Sequence, residues 1–413
     1  MILTTMPGQP RRRIAIYFRM FSPYILARIN AAADRMEVIG IEGSRRSTVY
    51  AWEPREGDER FDRRTLFVDG TADSLPPKRV VAAVRAALDA ADPHVVCLTG
   101  WSYSEALTML VWAREHSRPV VLMSESTAHD AVRVGWRERI KRHILSQCDA
   151  ALVGGKAQQN YVEALGVPSD RVFIGYDAVD SAFFQAGAAK ARAEAEAVRA
   201  RFGLPEQYFL ASCRFIKKKN LVRLMEAFAI YRKTAGADDW KLVLVGDGEL
   251  RPVLETTAAA LGITDAVQFM GFKQYDDLPA LYGLAGGFVH VSTVEQWGLV
   301  VNEAMAAGLP VIVSRTCGCA DDLVDHQASG WLVDPFDVTD IAKRLTELAE
   351  PDCDRAAMGA RGQAIIANYG PDRFGNGLMA AVAAAETAPA RAPSPVSNWL
   401  LKRLAARSTR GGG

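Results

Sequence analysis

No apolar run in this chain reaches the length needed to cross a membrane, so no transmembrane helix is expected. An excess of one charge is missing too: the net charge is +1, which leaves no bulk electrostatic footprint for nucleic acid. Met1 to Arg13 carries charges with no apolar segment ahead of them and does not read as a secretory signal. Cysteine is sparse and scattered, at Cys97, Cys148, Cys213, Cys317, Cys319 and Cys353. Only Cys317 and Cys319 are close, and without a second pair or a nearby His cluster they predict no metal site. Cysteines in apolar runs behave as small hydrophobes, and a reducing cytoplasm suits them best. The remainder is ordinary: 49% hydrophobic and 23% charged residues, the balance of a soluble globular protein. A length of 413 residues predicts two domains, each able to bury its own core.

Short apolar segments alternate with amphipathic ones from end to end. Ile14 to Phe18, Val38 to Ile41, Leu66 to Val68, Val95 to Leu98, Val120 to Met123, Ala150 to Val153 and Val172 to Ile174 read as strands. Helical patterns such as Pro23 to Asp34, Lys78 to Ala90, Ser104 to His116 and Trp136 to Ser146 separate them. This alternation predicts a parallel sheet covered on both faces. The Ala/Glu/Arg-rich stretch from Ala186 to Arg201, broken by Gly203-Leu204-Pro205, interrupts the pattern. Beyond it the alternation restarts with strands at Tyr208 to Ser212, Lys241 to Val245, Val267 to Met270, Phe288 to Val291, Val311 to Val313 and Trp331 to Val333. The predicted domains are therefore 1–185, a connection at 186–205, a second domain at 206–370, a helix at 371–386 and a flexible basic tail at 387–413. The default ligand site in such a chain is a cleft between two α/β domains.

The chemistry concentrates in the second half. Glu295 and Glu303 flank Gly298 and an apolar helical run that ends at Gly308-Leu309-Pro310. A carboxylate in a loop and another one turn into the next helix suit a ligand at the carboxyl end of a strand. Upstream, Arg214 and Lys217-Lys218-Lys219 lie between a strand and a helix. Arg offers a fork to two phosphate oxygens and Lys a mobile point charge, so the turn suits a diphosphate; a solvated basic loop is the plain alternative. Gly246 and Gly248, and then Gly271 with Phe272, mark strand ends where backbone approaches a ligand or merely reverses. Asp352-Cys353-Asp354 is the only Asp-x-Asp and reads as a helix start.

The order Arg214, Lys219-Asn220, Val245-Gly246-Asp247-Gly248, Gly271-Phe272, Tyr282, Ala285, Ser292, Glu295, Gly298-Leu299, Glu303-Ala304-Met305-Ala306-Ala307-Gly308-Leu309-Pro310 resembles the retaining glycosyltransferases of family 4. The resemblance is dense from Tyr208 to Pro335. It implies the GT-B fold, with two Rossmann-like domains facing across a cleft and a C-terminal helical segment. It implies a metal-independent hexosyltransferase without cofactor. The donor is then a UDP- or GDP-type nucleotide-sugar and the acceptor a saccharide or lipid-linked sugar, in surface polysaccharide, lipopolysaccharide or glycolipid synthesis. Arg214 and Lys219 would hold the diphosphate, Glu295 the donor sugar's hydroxyls, and Glu303 the ribose. Gly246, Gly248, Gly271, Phe272 and Gly298 would complete the donor site, with the backbone N–H groups of Leu299 and Val300 near phosphate.

The first half departs from that pattern. Phe18 to Tyr24 has no glycine pair where the family often carries a glycine-rich loop, and Glu125 stands where it often has a His, with His129 beyond. Glu125, His129 and Trp101 are the acceptor-side candidates; a Ser/Thr/Asp helix cap is the alternative reading of the segment around Glu125. Arg133 to His143 carries Trp136 among basic residues, which suits either an anionic membrane surface or a solvated face, and the Trp399 to Leu404 piece points the same way. The expected location is thus cytoplasmic or peripheral on a membrane. Competing functions are a glycoside hydrolase with Glu295 and Glu303 as an acid/base pair, a GT-B-type sugar-nucleotide epimerase, and a catalytically silent sugar-nucleotide-binding protein.

Overall fold

The computed structural model describes residues 11–46, 52–54, 57, 59–71, 74–234, 240–389 and 394–406. The chain divides into two compact units: Met1–Ala128 with Val132–Ala178 and Pro371–Gly413, and His129–Ala131 with Val179–Gly370.

The first unit holds strands β1 (Arg13–Phe18), β2 (Glu37–Ser44), β3 (Asp62–Phe67), β4 (Val95–Thr99), β5 (Val120–Ser124), β6 (Ala150–Val153) and β7 (Val172–Ile174). Between them run helices α1 (Pro23–Ala33), α2 (Pro77–Ala91), α3 (Ser104–Glu115), α4 (Gly135–Leu145) and α5 (Lys156–Ala164). The strands form one sheet in the order β3-β2-β1-β4-β5-β6-β7, with parallel pairings throughout. Both faces are buried, and alternate residues of a strand supply them. Ala15 and Tyr17 of β1 join the core beneath α2 and α3, whereas Ile14, Ile16 and Phe18 join the opposite core.

The second unit contains α6 (Ser181–Ala193), α7 (Ala195–Phe202), β8 (Tyr208–Ser212), α8 (Leu221–Thr234), β9 (Lys241–Val245), α9 (Arg251–Leu261) and β10 (Val267–Gly271). It continues with α10 (Leu278–Leu284), β11 (Gly287–His290), α11 (Leu299–Ala306), β12 (Val311–Ser314), α12 (Ala320–Leu323), β13 (Gly330–Val333), α13 (Val338–Ala349) and α14 (Arg355–Ile366). Its sheet order is β10-β9-β8-β11-β12-β13, again parallel. The order reverses between β8 and β11, and the carboxyl ends flanking such a reversal are where open α/β sheets bind ligands.

Two stretches differ from the sequence expectations, and a third, the helix at 371–386, is found as expected and gains its packing partners. The supposed connection is part of the second unit: α6 begins at Ser181, capped by Asp180, whose side chain accepts from Phe183 N at 3.0 Å. Phe184 is fully buried against Tyr275 and Tyr282, so the anchor of this helix lies just upstream of the Ala-rich stretch. The helix at 371–386 is α15 (Pro371–Glu386), and it packs on α1 and beneath β5, β6 and β7 of the first unit. The expected tail contains α16 (Pro395–Ala405), which packs on α3 through fully buried Leu401. Residues 390–393 and 407–413 of that expected tail lie outside the described residues.

Candidate functional site

The loops after β8 and β11 carry Arg214, Lys217–Lys219 and Glu295. After β8 the chain enters a short 3-10 turn, Lys217–Lys219, and ends it at Asn220 with φ 60°. Asn tolerates this left-handed conformation, and here its side chain ties the turn down. Asn220 Nδ2 donates to Val291 O at 3.0 Å and to Pro335 O at 2.7 Å, and Arg223 donates to Asn220 Oδ1 at 2.9 Å. Thr293 N donates to Lys218 O at 2.8 Å, which binds the two loops together. On the other side Gly318 N donates to Glu295 O at 3.1 Å. Lys219 and Glu295 are thus held on braced backbone, from loops that are adjacent only because β8 and β11 are neighbours in the sheet.

Their side chains meet. Lys219 Nζ donates to Glu295 Oε2, and both side chains are largely buried. His290 Nε2 lies 3.2 Å from the same oxygen and Ser292 Oγ 3.4 Å from it. Burial alone would raise the Glu295 carboxyl, but the His290 hydrogen bond and the Lys219 charge outweigh it and hold it well below the usual carboxylate range. Burial lowers Lys219, and the Glu295 charge more than reverses that, keeping the ammonium charged. Burial pulls the His290 imidazole down, and the Lys219 charge adds to this against Glu295. Burial also lowers Lys218. A charged carboxylate that accepts three donors is equipped to hold hydroxyl groups and poorly equipped to give up a proton.

Gly246 and Gly248 are points of close approach within the chain itself. Gly246 has φ 126°, and a Cβ there would stand 1.9 Å from Cys213 O. No other residue fits where the turn after β9 crosses the loop that carries Arg214. Gly248 abuts the Phe215 backbone in the same way, and Gly246 N donates to Gly271 O at 2.9 Å. Phe272 follows with its ring partly exposed. Gly298 takes φ 107° and no side chain caps α11, so Leu299 and Val300 open that helix with their backbone N–H groups.

Glu303 lies one turn into α11, fully buried, and its Oε2 accepts the Tyr282 hydroxyl at 2.7 Å. Burial and this carboxylate push the Tyr282 hydroxyl well above its ordinary range. Glu303 thus accepts from Tyr282, whereas Glu295 accepts from Lys219.

In the first unit, Glu125 follows β5 half-buried and lies near Asp177 and Tyr176. His129 is exposed in the turn beyond. Trp101 differs from its acceptor-side expectation: it is 7% exposed, joins the core under α3 and packs on Tyr161. A large ring directly after a strand end completes that core instead of lining a surface. His290 is the site residue that sequence reasoning passed over. The available signal was its place at the end of a strand, shortly before Glu295. Among the described residues, no cluster of His, Cys, Asp or Glu suits a metal ion. Asp354 is a helix cap, accepting from Ala357 N at 2.9 Å.

Residues 194–364 match the family described as "Glycosyl transferases group 1". A D-inositol 3-phosphate glycosyltransferase of Salinispora tropica is 32% identical over 292 residues, 68% of this chain and 60% of that protein. The GDP-mannose-dependent alpha-(1-6)-phosphatidylinositol monomannoside mannosyltransferase of Mycobacterium tuberculosis is 37% identical over 183 residues, 42% of this chain and 46% of that protein. The matches thus span less than two thirds of either relative. Among solved structures, Anabaena HepE in complex with UDP superposes with a TM-score of 0.64 at 17% identity, covering 89% of this chain and 98% of that one. WaaG, a glycosyltransferase involved in lipopolysaccharide biosynthesis, does so at 0.63 with the same identity and coverage. At such identity these structures speak for the fold, which is GT-B. The matched segment contains Arg214, Lys219, His290, Glu295 and Glu303.

Proposed function

We propose that the protein is a retaining glycosyltransferase that moves a hexose from a nucleotide-sugar to a saccharide or lipid-linked acceptor. The observation that carries this reading is the Lys219–Glu295–His290 cluster at the strand-order reversal, beside Arg214. When the anomeric C–O bond breaks, its electron pair stays on the diphosphate. Arg214 and Lys219 stabilise that charge as it develops, which in this reading requires no metal or cofactor. Glu295 holds the donor sugar's hydroxyls, Glu303 the ribose, and the start of α11 faces phosphate. The acceptor oxygen bonds to the anomeric carbon on the face the diphosphate leaves, and its proton passes to a phosphate oxygen. Glu125 and His129 are the acceptor-side candidates.

A UDP or GDP donor is consistent with the GDP-mannose dependence of the mycobacterial relative and with the UDP bound in HepE. The acceptor places the enzyme in surface polysaccharide, lipopolysaccharide or glycolipid synthesis. An anionic membrane surface is a further partner, met by α4, and peripheral attachment on the cytoplasmic side is the matching location. No described helix is long and apolar enough to cross a membrane.

The test is a panel of UDP- and GDP-sugars, with nucleotide release followed with and without a bacterial lipid or oligosaccharide extract. Release that depends on one donor and rises with acceptor is expected. Absence of release from every donor sinks the reading, and binding without release leaves a silent nucleotide-sugar-binding protein. Lys219→Ala is expected to cut turnover by about a hundredfold or more, as loss of a fixed transition-state donor does. A melting curve run beside it separates that loss from unfolding.

A further inference from the structure

We propose that His290 is the positioning residue for Glu295: it keeps the carboxylate aimed at the donor sugar when the donor's diphosphate claims Lys219. This rests on the donor assignment above.

The hydrogen bonds from Lys219, His290 and Ser292 all fall on Glu295 Oε2. Among the described residues none falls on Oε1, which is the oxygen left to meet a sugar hydroxyl. The partners differ in kind. Lys219 is a flexible chain whose ammonium also has to serve the diphosphate, and an ammonium can redistribute its three N–H groups. His290 is short and 3% exposed, lies nearly parallel to Phe288 and has Ser292 Oγ at 3.2 Å from its Nε2. Its ring has no room to follow a ligand. Gly298 closes the site at the far side, since a Cβ there would lie 3.5 Å from Glu295 Cγ and 3.7 Å from His290 Nε2. The donor N–H that stays with Glu295 throughout is therefore that of His290.

The charges acting on the imidazole are Glu295, which favours its protonated form, and Lys219, which opposes it. The thiols of Cys213, Cys317 and Cys319 surround Glu295 but are pushed up by burial, Cys213 and Cys317 to about 12, and stay neutral. Drawing Lys219 off Glu295 thus moves the imidazole toward the protonated form, where it donates to the carboxylate more strongly.

The experiment has two arms. In the first, protein labelled with nitrogen-15 in histidine is titrated by NMR, and the His290 signal is assigned by its loss in His290→Gln. Wild type is compared with Lys219→Ala, or with Lys219→Met if the alanine variant does not fold. An upward move of the His290 midpoint by about one pH unit is expected from loss of an opposing charge at this range. An unmoved midpoint overturns the proposal, whatever the turnover. In the second arm, His290→Ala and His290→Gln are assayed with the donor that wild type uses. The alanine variant is expected to lose about tenfold to a hundredfold in kcat/KM, because the carboxylate loses its aim in the donor complex and in the transition state alike. Gln restores an N–H at the same reach and is expected to recover most of the loss. Equal damage by Ala and Gln, tracking a lowered Tm, would mean that His290 only fills space and would overturn the proposal. Wild type that releases no nucleotide defeats the function reading, and the NMR arm still decides whether Lys219 and His290 share Glu295.

Discussion

Asp177 is fully buried, and its nearest cation, Arg28 Nη2, stands 3.6 Å away while Arg28 Nε donates to Ala178 O at 2.9 Å. Burial, with the Glu125 charge adding to it, holds the Asp177 carboxyl well above its ordinary range, against the pull of Arg28. A carboxyl raised by folding contributes its full stability below the unfolded-state value. That contribution is lost as pH climbs through the folded-state value. Asp177→Asn mimics the neutral acid without the proton. It is therefore expected to raise Tm at pH 8, by about 2–4 °C for each kcal/mol recovered in a unit of this size. The gain should shrink toward pH 4, as protonation returns to the wild-type carboxyl. Calorimetry at the two pH values checks this, and a lower Tm at pH 8 would show that the charged form is the native one. The same chemistry explains which residues were legible beforehand. Lys219 and Glu295 announce themselves as charges in strand-to-helix loops, Lys219 in a basic run and Glu295 shortly before Gly298. His290 and Asp177 sit where a lone polar residue in an apolar run reads as core, and only the fold shows what faces them.

Elements were legible where their pattern depends on local sequence alone. The buried strands of both sheets are short apolar runs, and such runs between helical stretches have few other uses. The edge strand β3 extends back to Asp62 through a polar stretch because Arg63 pairs with Glu42 on the neighbouring strand, at 2.9 Å. No hydrophobic alternation reports that. Helix α4 shows a basic face whose members have different tasks. Arg133, just ahead of the helix, and Lys141 donate to Tyr161 Oη at 2.7 and 2.8 Å, and Lys141 reaches Glu138 as well. Arg137, Arg139 and Arg142 remain exposed beside Trp136, which is 59% exposed. If α4 meets anionic lipid, those three arginines carry the attraction, at about 1 kcal/mol each near the surface. Reversing all three to Glu is then expected to weaken sedimentation with phosphatidylglycerol-rich vesicles by about a hundredfold or more at low salt, leaving Tm within about 2 °C. Equal binding of the wild type to neutral vesicles, or no effect of the reversal, would assign the face to water.

At the scale of the whole molecule, the return of the chain end was not legible. Residues after Gly370 read as a helix and a tail following a finished second domain, because amphipathicity names a buried face without naming what covers it. The structure shows that α15 completes the first unit. Phe374, Leu378, Ala381, Val382 and Ala385 pack with Ile14, Ile16, Val95 and Val121 in one core. The fit is close at the backbone: a Cβ on Gly375 would lie 2.6 Å from Ala31 O, and one on Gly377 would lie 2.9 Å from Ile174 O. Burying each large apolar side chain is worth about 1.5–3 kcal/mol, so losing the whole face removes as much as a domain's net stability. Helix α16 contributes less, through Leu401 and Ala405 against α3 and an exposed Lys402–Glu115 pair. A chain ending at Thr387 is therefore expected to stay folded with a modest drop in Tm. A chain ending at Gly370 is expected to lose the first unit while the second, which has its own core, keeps its structure. Limited proteolysis with mass spectrometry distinguishes the two: cleavage throughout residues 11–178 and protection of 179–370 is the expected pattern for the shorter chain. Protection of both halves would show that α15 decorates the first sheet without holding it together.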